Sequence, residues 1–316
     1  MVINVKQKII FGDSFSEIAL GTAHFGAEVD TNTSFSIMDA YFDAGGSVLD
    51  TARLYARGNS EKTVGKWVHE RGNRDKVKIV TKGAHPLLTD WLPRVNEREI
   101  TKDIDESLLA LGTDYIDVYY LHRDDESKEV GEIVSILNKL VREGKVRQLG
   151  ASNWRTERIH QANEFALKNG MQPFTFSQIM WSAAEVNPDG IEDKTLVAMS
   201  ADEYSGYGKT NVAIMAYSSQ AKGLFSHIAS HGMSGISERM KKQYANFETE
   251  ARARRFINLS KESGISPTAI SLRCLMSDKL SPIPIIGCSS VSRLMDSLGA
   301  LRLPDEYIQM LPKLYD

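Results

Sequence analysis

Cysteine is scarce. Cys274 and Cys288 are the only two in 316 residues, too few for a disulfide framework and wrongly spaced for a metal motif. Net charge is close to zero as well. The 38 Lys and Arg against 41 Asp and Glu leave −3, a balance with no electrostatic footprint for nucleic acid. No run approaches the roughly 18 uninterrupted apolar residues that suggest a membrane span. The opening Met1-Val2-Ile3-Asn4-Val5-Lys6 lacks the apolar core of a signal peptide. The expectation is a soluble, cytoplasmic protein without a membrane or nucleic-acid partner, its self-association left open.

The common catalytic signatures are missing too. Gly208-Lys209-Thr210 ends like a P-loop, but Glu203 stands where the first Gly is required. No Gly-x-Gly-x-x-Gly opens a helix after a strand. Neither His-Glu-x-x-His nor Gly-x-Ser-x-Gly occurs, and no metal is expected.

What is present is alternation. Hydrophobic residues make up 42% and charged residues 25%, ordinary for a globular chain. Short runs rich in Val and Ile predict strands at 47–50, 77–82, 116–122, 146–152, 174–179, 212–217 and 283–287, with an eighth at 17–22. Between them the apolar spacing is helical. Val130, Ile133, Val134, Leu137, Leu140 and Val141 share one face. Ile37/Met38/Tyr41, Val64/Trp67/Val68, Ile104/Leu108/Leu111 and Ile159/Ala162/Phe165 repeat the pattern. Gly170 and Gly264 suit left-handed C-terminal caps. Ser60-Glu61 and Thr156-Glu157 place a cap residue and a carboxylate at helix starts.

Strand–helix alternation implies parallel strands and right-handed crossovers. A doubly wound sheet and a closed barrel both satisfy it. No linker or composition break divides residues 1–316, and about eight units in one continuous repeat favour a single (β/α)8 TIM barrel. Residues 3–11 and 17–22 around Gly12-Asp13-Ser14 predict an N-terminal β-hairpin that plugs the barrel bottom. The long irregular stretches 85–95, 183–199 and 223–246 are expected as functional rim loops.

Polar residues recur at the predicted strand ends: Asp50, Lys82, His122, Ser152-Asn153, Gln178, Tyr217-Ser218 and Gly287. In a barrel all these ends face one mouth. Each alone suits a cap, a solvated strand end or a structural histidine. Their coincidence at one rim does not.

Leu49-Asp50-Thr51-Ala52-Arg53-Leu54-Tyr55, Gly58-Asn59-Ser60-Glu61, Val80-Thr81-Lys82, Tyr120-Leu121-His122 and Leu149-Gly150-Ala151-Ser152-Asn153 resemble the aldo-keto reductases. The resemblance continues through Ser177-Gln178, Ala216-Tyr217-Ser218 and Ile285-Ile286-Gly287, in order over nearly the whole chain. It implies an NADPH-dependent reduction of an aldehyde or ketone. Tyr55 would donate the proton, Lys82 and Asp50 would tune it electrostatically, and His122 would orient the carbonyl oxygen. For the cofactor it implies Gly21 and Thr22 near the ribose, and Ser152, Asn153 and Gln178 at the carboxamide. Tyr217 would stack on the ring, with Ser218, Ser219, Gln220, Lys222 and Leu224 along the pyrophosphate. Gly287, Cys288, Ser289, Ser290, Arg293, Asp296 and Ser297 would surround the adenosine 2′-phosphate, Arg293 supplying the guanidinium. Arg293 implies NADP(H) as the preferred cofactor, while Gly287 in place of a frequent family Lys, and Asp296-Ser297 in place of a Glu-Asn pair, leave NAD(H) open. His24, Arg57, His85, Trp91, Trp154 and Trp181 are expected around the substrate. Two alternatives stand beside the reductase: a cofactor-binding subunit with little catalytic role, and an aldolase or isomerase with Lys82 as a Schiff base.

Overall fold

The computed structural model describes residues 3–87, 89 and 91–315. The reading of Met1-Val2 as the start of the chain, part of the 85–95 segment (Leu88 and Asp90) and Asp316 at the end of the proposed single domain lie outside the described residues.

Eight parallel strands close on themselves: β3 (Ala19–Gly21), β4 (Val48–Asp50), β5 (Lys78–Gly83), β6 (Ile116–Leu121), β7 (Val146–Ser152), β8 (Phe174–Met180), β9 (Ala213–Tyr217) and β10 (Ile283–Gly287), with β10 pairing back to β3. Helices α1 (Thr31–Asp43), α2 (Asn59–Arg71), α3 (Glu97–Leu111), α4 (Val130–Arg142) and α5 (Thr156–Lys168) follow the first strands. Then come α6 (Ala201–Tyr207), α7 (Leu224–His231), α8 (Glu238–Tyr244), α9 (Phe247–Ser263), α10 (Pro267–Met276), α11 (Val291–Leu298) and α12 (Asp305–Ile308). Among the described residues no helix is long and apolar enough to cross a membrane.

The two-residue side-chain period of a strand explains the interior. Val48, Val80 and Val118 fill the barrel together with Phe176, Met215 and Ile283. Two residues further along the same strands come Asp50, Lys82 and Tyr120, nearer the mouth. Gly150, paired with Tyr120 across β6 and β7, leaves room for that ring: a Cβ there would stand 2.5 Å from it. The odd positions, such as Leu49, Ile79 and Leu121, point outward into the layer under the helices.

The hairpin exists, with a different second arm from the expected one. β1 (Gln7–Ile10) pairs antiparallel with β2 (Asp13–Ser16), while residues 19–21 join the barrel. The turn is Phe11-Gly12, both at positive φ, 48° and 87°, as a tight two-residue hairpin turn demands. Phe15 enters the barrel bottom and meets Phe176 at 5.0 Å between ring centres.

Two other expectations are corrected. Ser60 and Thr156 do not cap their helices. Gly58 and Arg155 occupy those positions without side-chain capping bonds, and the Ser60 hydroxyl donates to the Thr22 carbonyl instead. Residues 223–246 are largely helical, forming α7 and α8, because Leu224, Phe225 and Ile228 bury a helical face despite the glycines. Gly264 caps α9 at φ 71°, and Gly170 stands just past α5 at φ 64°.

Candidate active site

Lys82 is the centre of the site. It sits fully buried on β5 and donates from Nζ to both carboxylate oxygens of Asp50, at 2.9 and 2.8 Å, and to the Thr51 carbonyl at 2.7 Å. Burial alone would lower its pKa. The Asp50 charge and bonds outweigh it, and the ammonium is held above its ordinary value. The same Nζ lies 4.8 Å from the centre of the Tyr55 ring.

Tyr55 is half-buried on the turn after β4. Its ring meets the His122 ring edge-on, with centres 5.7 Å apart. His122 continues the inward series Val118, Tyr120 past the end of β6. Burial pushes it well below the usual histidine range, and Lys82, Arg123 and His85 add to the shift. It is therefore neutral at pH 7, and its Nδ1 is buried without a hydrogen-bond partner among the described residues. A neutral imidazole beside a phenol can orient a carbonyl oxygen without competing for its proton.

The expected carboxamide residues also converge. Gln178 donates from Nε2 to Asp50 Oδ1 at 2.8 Å. Asn153, at φ 59°, gives its Nδ2 to the Ser152 hydroxyl at 3.1 Å and takes the Tyr217 hydroxyl on Oδ1 at 2.6 Å. Thr22 bonds the Asp50 carbonyl, and Gly21 pairs with Asp50 on one side and Gly287 on the other.

A second polar group lies along β9 and β10. Ser218, Ala221, Lys222 and Gly223 all have positive φ, so this loop is tightly coiled. Within it the Ala221 and Gly223 amides donate to the Ser218 and Gln220 carbonyls, both at 2.8 Å. Ser219 bonds the Ile285 carbonyl, and Gln220 reaches Ser297 at 2.7 Å. Ser290 caps α11 through the Arg293 amide, and Arg293 Nη1 touches Ser289 at 3.3 Å. Gly287 is exposed with open space at its Cβ position. This set fits a phosphorylated dinucleotide: a coiled loop and a helix start for phosphates, with amides and a flat ring at the mouth. Asp296 instead accepts a bond from Ser266, Cys288 is half-buried with its thiol pushed up to about 12 by burial, and the Leu224 side chain is core.

The substrate residues divide. His85 stands 4.8 Å from His122 and 6.0 Å from Trp91, ring centre to ring centre, and Arg57 follows Tyr55 on the same turn. His24 is exposed, its Nδ1 2.7 Å from a Glu28 carboxylate oxygen. Trp154 and Trp181 do not line the mouth. Each is 1% exposed. They pack against Phe174 and against Tyr204 with Tyr315, filling the layers outside the barrel.

Arg123 was not foreseen. Buried beside His122, it bonds the His122 carbonyl at 2.7 Å, Thr195 at 2.7 Å and Asp193 at 3.0 Å, tying the 183–199 loop to the site. Its place directly after His122 was the available signal. Arg94 plays a similar part, joining Asp103 and Glu99 of α3 to the His85 carbonyl.

Known proteins bear on this geometry. The model of the Aldo/keto reductase family matches residues 17–316. A norsolorinic acid reductase of Emericella nidulans is 27% identical over 314 residues, covering 94% of this chain and 77% of that protein. An NADP(+) aryl-alcohol dehydrogenase of Phanerodontia chrysosporium is 27% identical over 315 residues, covering 95% and 79%. A norsolorinic acid reductase of Aspergillus flavus is 35% identical over 188 residues, covering 55% of this chain and 48% of that protein.

Proposed function

The chain belongs to the aldo/keto reductase family and is an oxidoreductase acting on small-molecule carbonyls, and from that premise we propose that it reduces aryl aldehydes or ketones with NADPH, Tyr55 giving the proton. The single observation that carries the reading is the contact chain Asp50–Lys82–Tyr55–His122 at adjoining strand ends.

A nicotinamide cofactor, when bound, would supply the hydride. Everything else falls to the chain. Negative charge gathers on the carbonyl oxygen as its carbon is reduced, and a positioned donor must meet it. Tyr55 donates the proton from its hydroxyl to that oxygen, which becomes the hydroxyl of the product alcohol and leaves Tyr55 as a phenolate. Lys82 stands beside the phenol as a fixed cation, held by Asp50 and the Thr51 carbonyl, so negative charge left on Tyr55 is compensated without rearrangement. Gln178 braces Asp50 from the opposite wall. Ser152, Asn153 and Gln178 would hold the carboxamide, and Tyr217, fixed through its hydroxyl to Asn153, would offer its ring face. Offset ring stacking adds roughly 0.5–1.5 kcal/mol beyond area burial. The aryl preference draws on the relatives' names, aryl-alcohol dehydrogenase among them, and on the His85–Trp91 surface beside His122. The reading takes the chain as one domain.

Oxidation of NADPH with a panel of substituted benzaldehydes tests the proposal. Tyr55→Phe should lower turnover by about 10²–10⁴-fold, the usual worth of a general acid, while NADPH still binds. A Phe variant with more than half the wild-type turnover would sink the assignment.

A further inference from the structure

Among the described residues, the charges around one cavity do not cancel. Beside Lys82, a cavity of about 340 Å3 lies between the turn after β4, the segment after β5 and helix α3. In its wall Arg53 pairs with Glu106, and Arg94 with Asp103 and Glu99. Lys82 is engaged by Asp50. Arg57 and Lys102 face the same cavity with no acidic partner and no side-chain hydrogen bond among the described residues.

Arg57 is held there against backbone preference. Ala56 and Arg57 adopt φ of 48° and 56° in succession, immediately after Tyr55. Two adjacent non-glycine residues in the left-handed region persist only where their surroundings fix them, and such strain gathers at ligand clamps. The cavity's other wall is apolar, with Leu54, Pro86 and Leu87. From His122 the rings of His85 and Trp91 run outward along the same segment.

Resting on the reading of the chain as an aryl-carbonyl reductase, we propose that this cavity is an anion subsite. It takes a carboxylate carried by the substrate, recognised by Arg57 and Lys102. The substrate class is then an aryl aldehyde or ketone with an acidic substituent. A guanidinium meets a carboxylate in a planar, two-bonded fork, and an ammonium adds a compact charge beside it. Among the described residues neither cation has another side-chain partner to abandon. The apolar wall would carry the ring, while His122 and Tyr55 meet the carbonyl.

Tryptophan fluorescence provides the test, since Trp91 is 47% exposed at the rim. The probes are 4-(hydroxymethyl)benzoate and its methyl ester, titrated with and without NADP+. The wild type should bind the acid about tenfold more tightly than the ester, or 1.4 kcal/mol. Lys102→Gln and Arg57→Gln should each remove most of that ratio. Lys168→Gln, on the exposed end of α5, should keep it. The ratio of kcat/KM for 4-carboxybenzaldehyde over methyl 4-formylbenzoate should follow, with the change in KM. Equal affinity for acid and ester, or no binding of either, overturns the subsite. An acid preference that survives both substitutions overturns the assignment to Arg57 and Lys102. The reductase reading fails separately, if neither aldehyde is reduced while the binding preference stands.

Discussion

Ser290 Oγ accepts the Arg293 amide in the first turn of α11, and the Arg293 guanidinium reaches Ser289 from the same turn. A guanidinium, two hydroxyls and a helix start thus meet beyond Gly287, where nothing crowds the backbone. Such a group suits a phosphate monoester and offers little to a bare ribose. Hydrogen bonds to charged groups contribute roughly 1.5–3 kcal/mol. Arg293→Ala should therefore weaken NADPH by about ten- to a hundredfold and leave NADH nearly unchanged. Four dissociation constants from fluorescence titration decide it, and equal losses for both cofactors would assign Arg293 to the fold. Asp50, Lys82 and His122 were legible in the sequence because each ends or follows a short apolar run, two or four residues beyond Val48, Val80 and Val118. The bond from Gln178 to Asp50 was not, since 128 residues separate them and only barrel closure brings them together. Arg123 was hidden for a related reason: its partners Asp193 and Thr195 lie in a loop whose path no local pattern dictates.

Among the elements, the hairpin of β1 and β2 differs from the rest because its inner residue seals the barrel from below. Phe15 is completely buried against Phe176, and Lys78 on β5 ties Asp13 at 2.9 Å. Truncating a buried Phe costs about 3–5 kcal/mol through lost burial and the cavity left behind. Phe15→Ala should lower stability by that order, read from urea unfolding, with KM for the carbonyl little changed because the mouth is at the opposite end. A loss below about 0.5 kcal/mol, the scale of surface substitutions, would place the ring outside the sealed interior. The barrel itself was readable from periodicity, strand by strand. The division of residues 13–22 was not. One short apolar stretch serves two sheets, and only the positive φ at Phe11 and Gly12 sets where the chain reverses. The helices within 223–246 escaped notice because Gly223, Gly232 and Gly235 punctuate them, although the glycines stand at or between helix ends.

For the molecule as a whole, the buried histidines set a pH dependence. His122 is held well below the usual histidine range by burial first, then by Lys82, Arg123 and His85. Burial lowers His85 as well, with its bond to the Pro86 carbonyl opposing. In the unfolded chain each takes up a proton near its ordinary value, about 6.5. Below that value the unfolded state binds more protons than the folded one, so stability falls with falling pH towards the depressed folded values. A buried carboxylate, Glu61, and a half-buried one, Asp124, act in the other direction. Burial raises Glu61, against its bond from Thr81, and Asp124, against Arg158, so the folded chain keeps those protons above the ordinary carboxylate range near ~4. Lys82 stays charged throughout, since its raised value matters only in strong alkali. The histidine contribution is isolated by comparing the wild type with His122→Asn in urea at pH 7.5, 6.5 and 5.5. The wild-type midpoint should drop more steeply from 6.5 to 5.5 than that of the variant, which has no such proton to exclude. Parallel curves would mean that His122 takes up its proton in the folded protein as readily as in the unfolded chain, and the neutral imidazole beside Tyr55 would have to be given up with it.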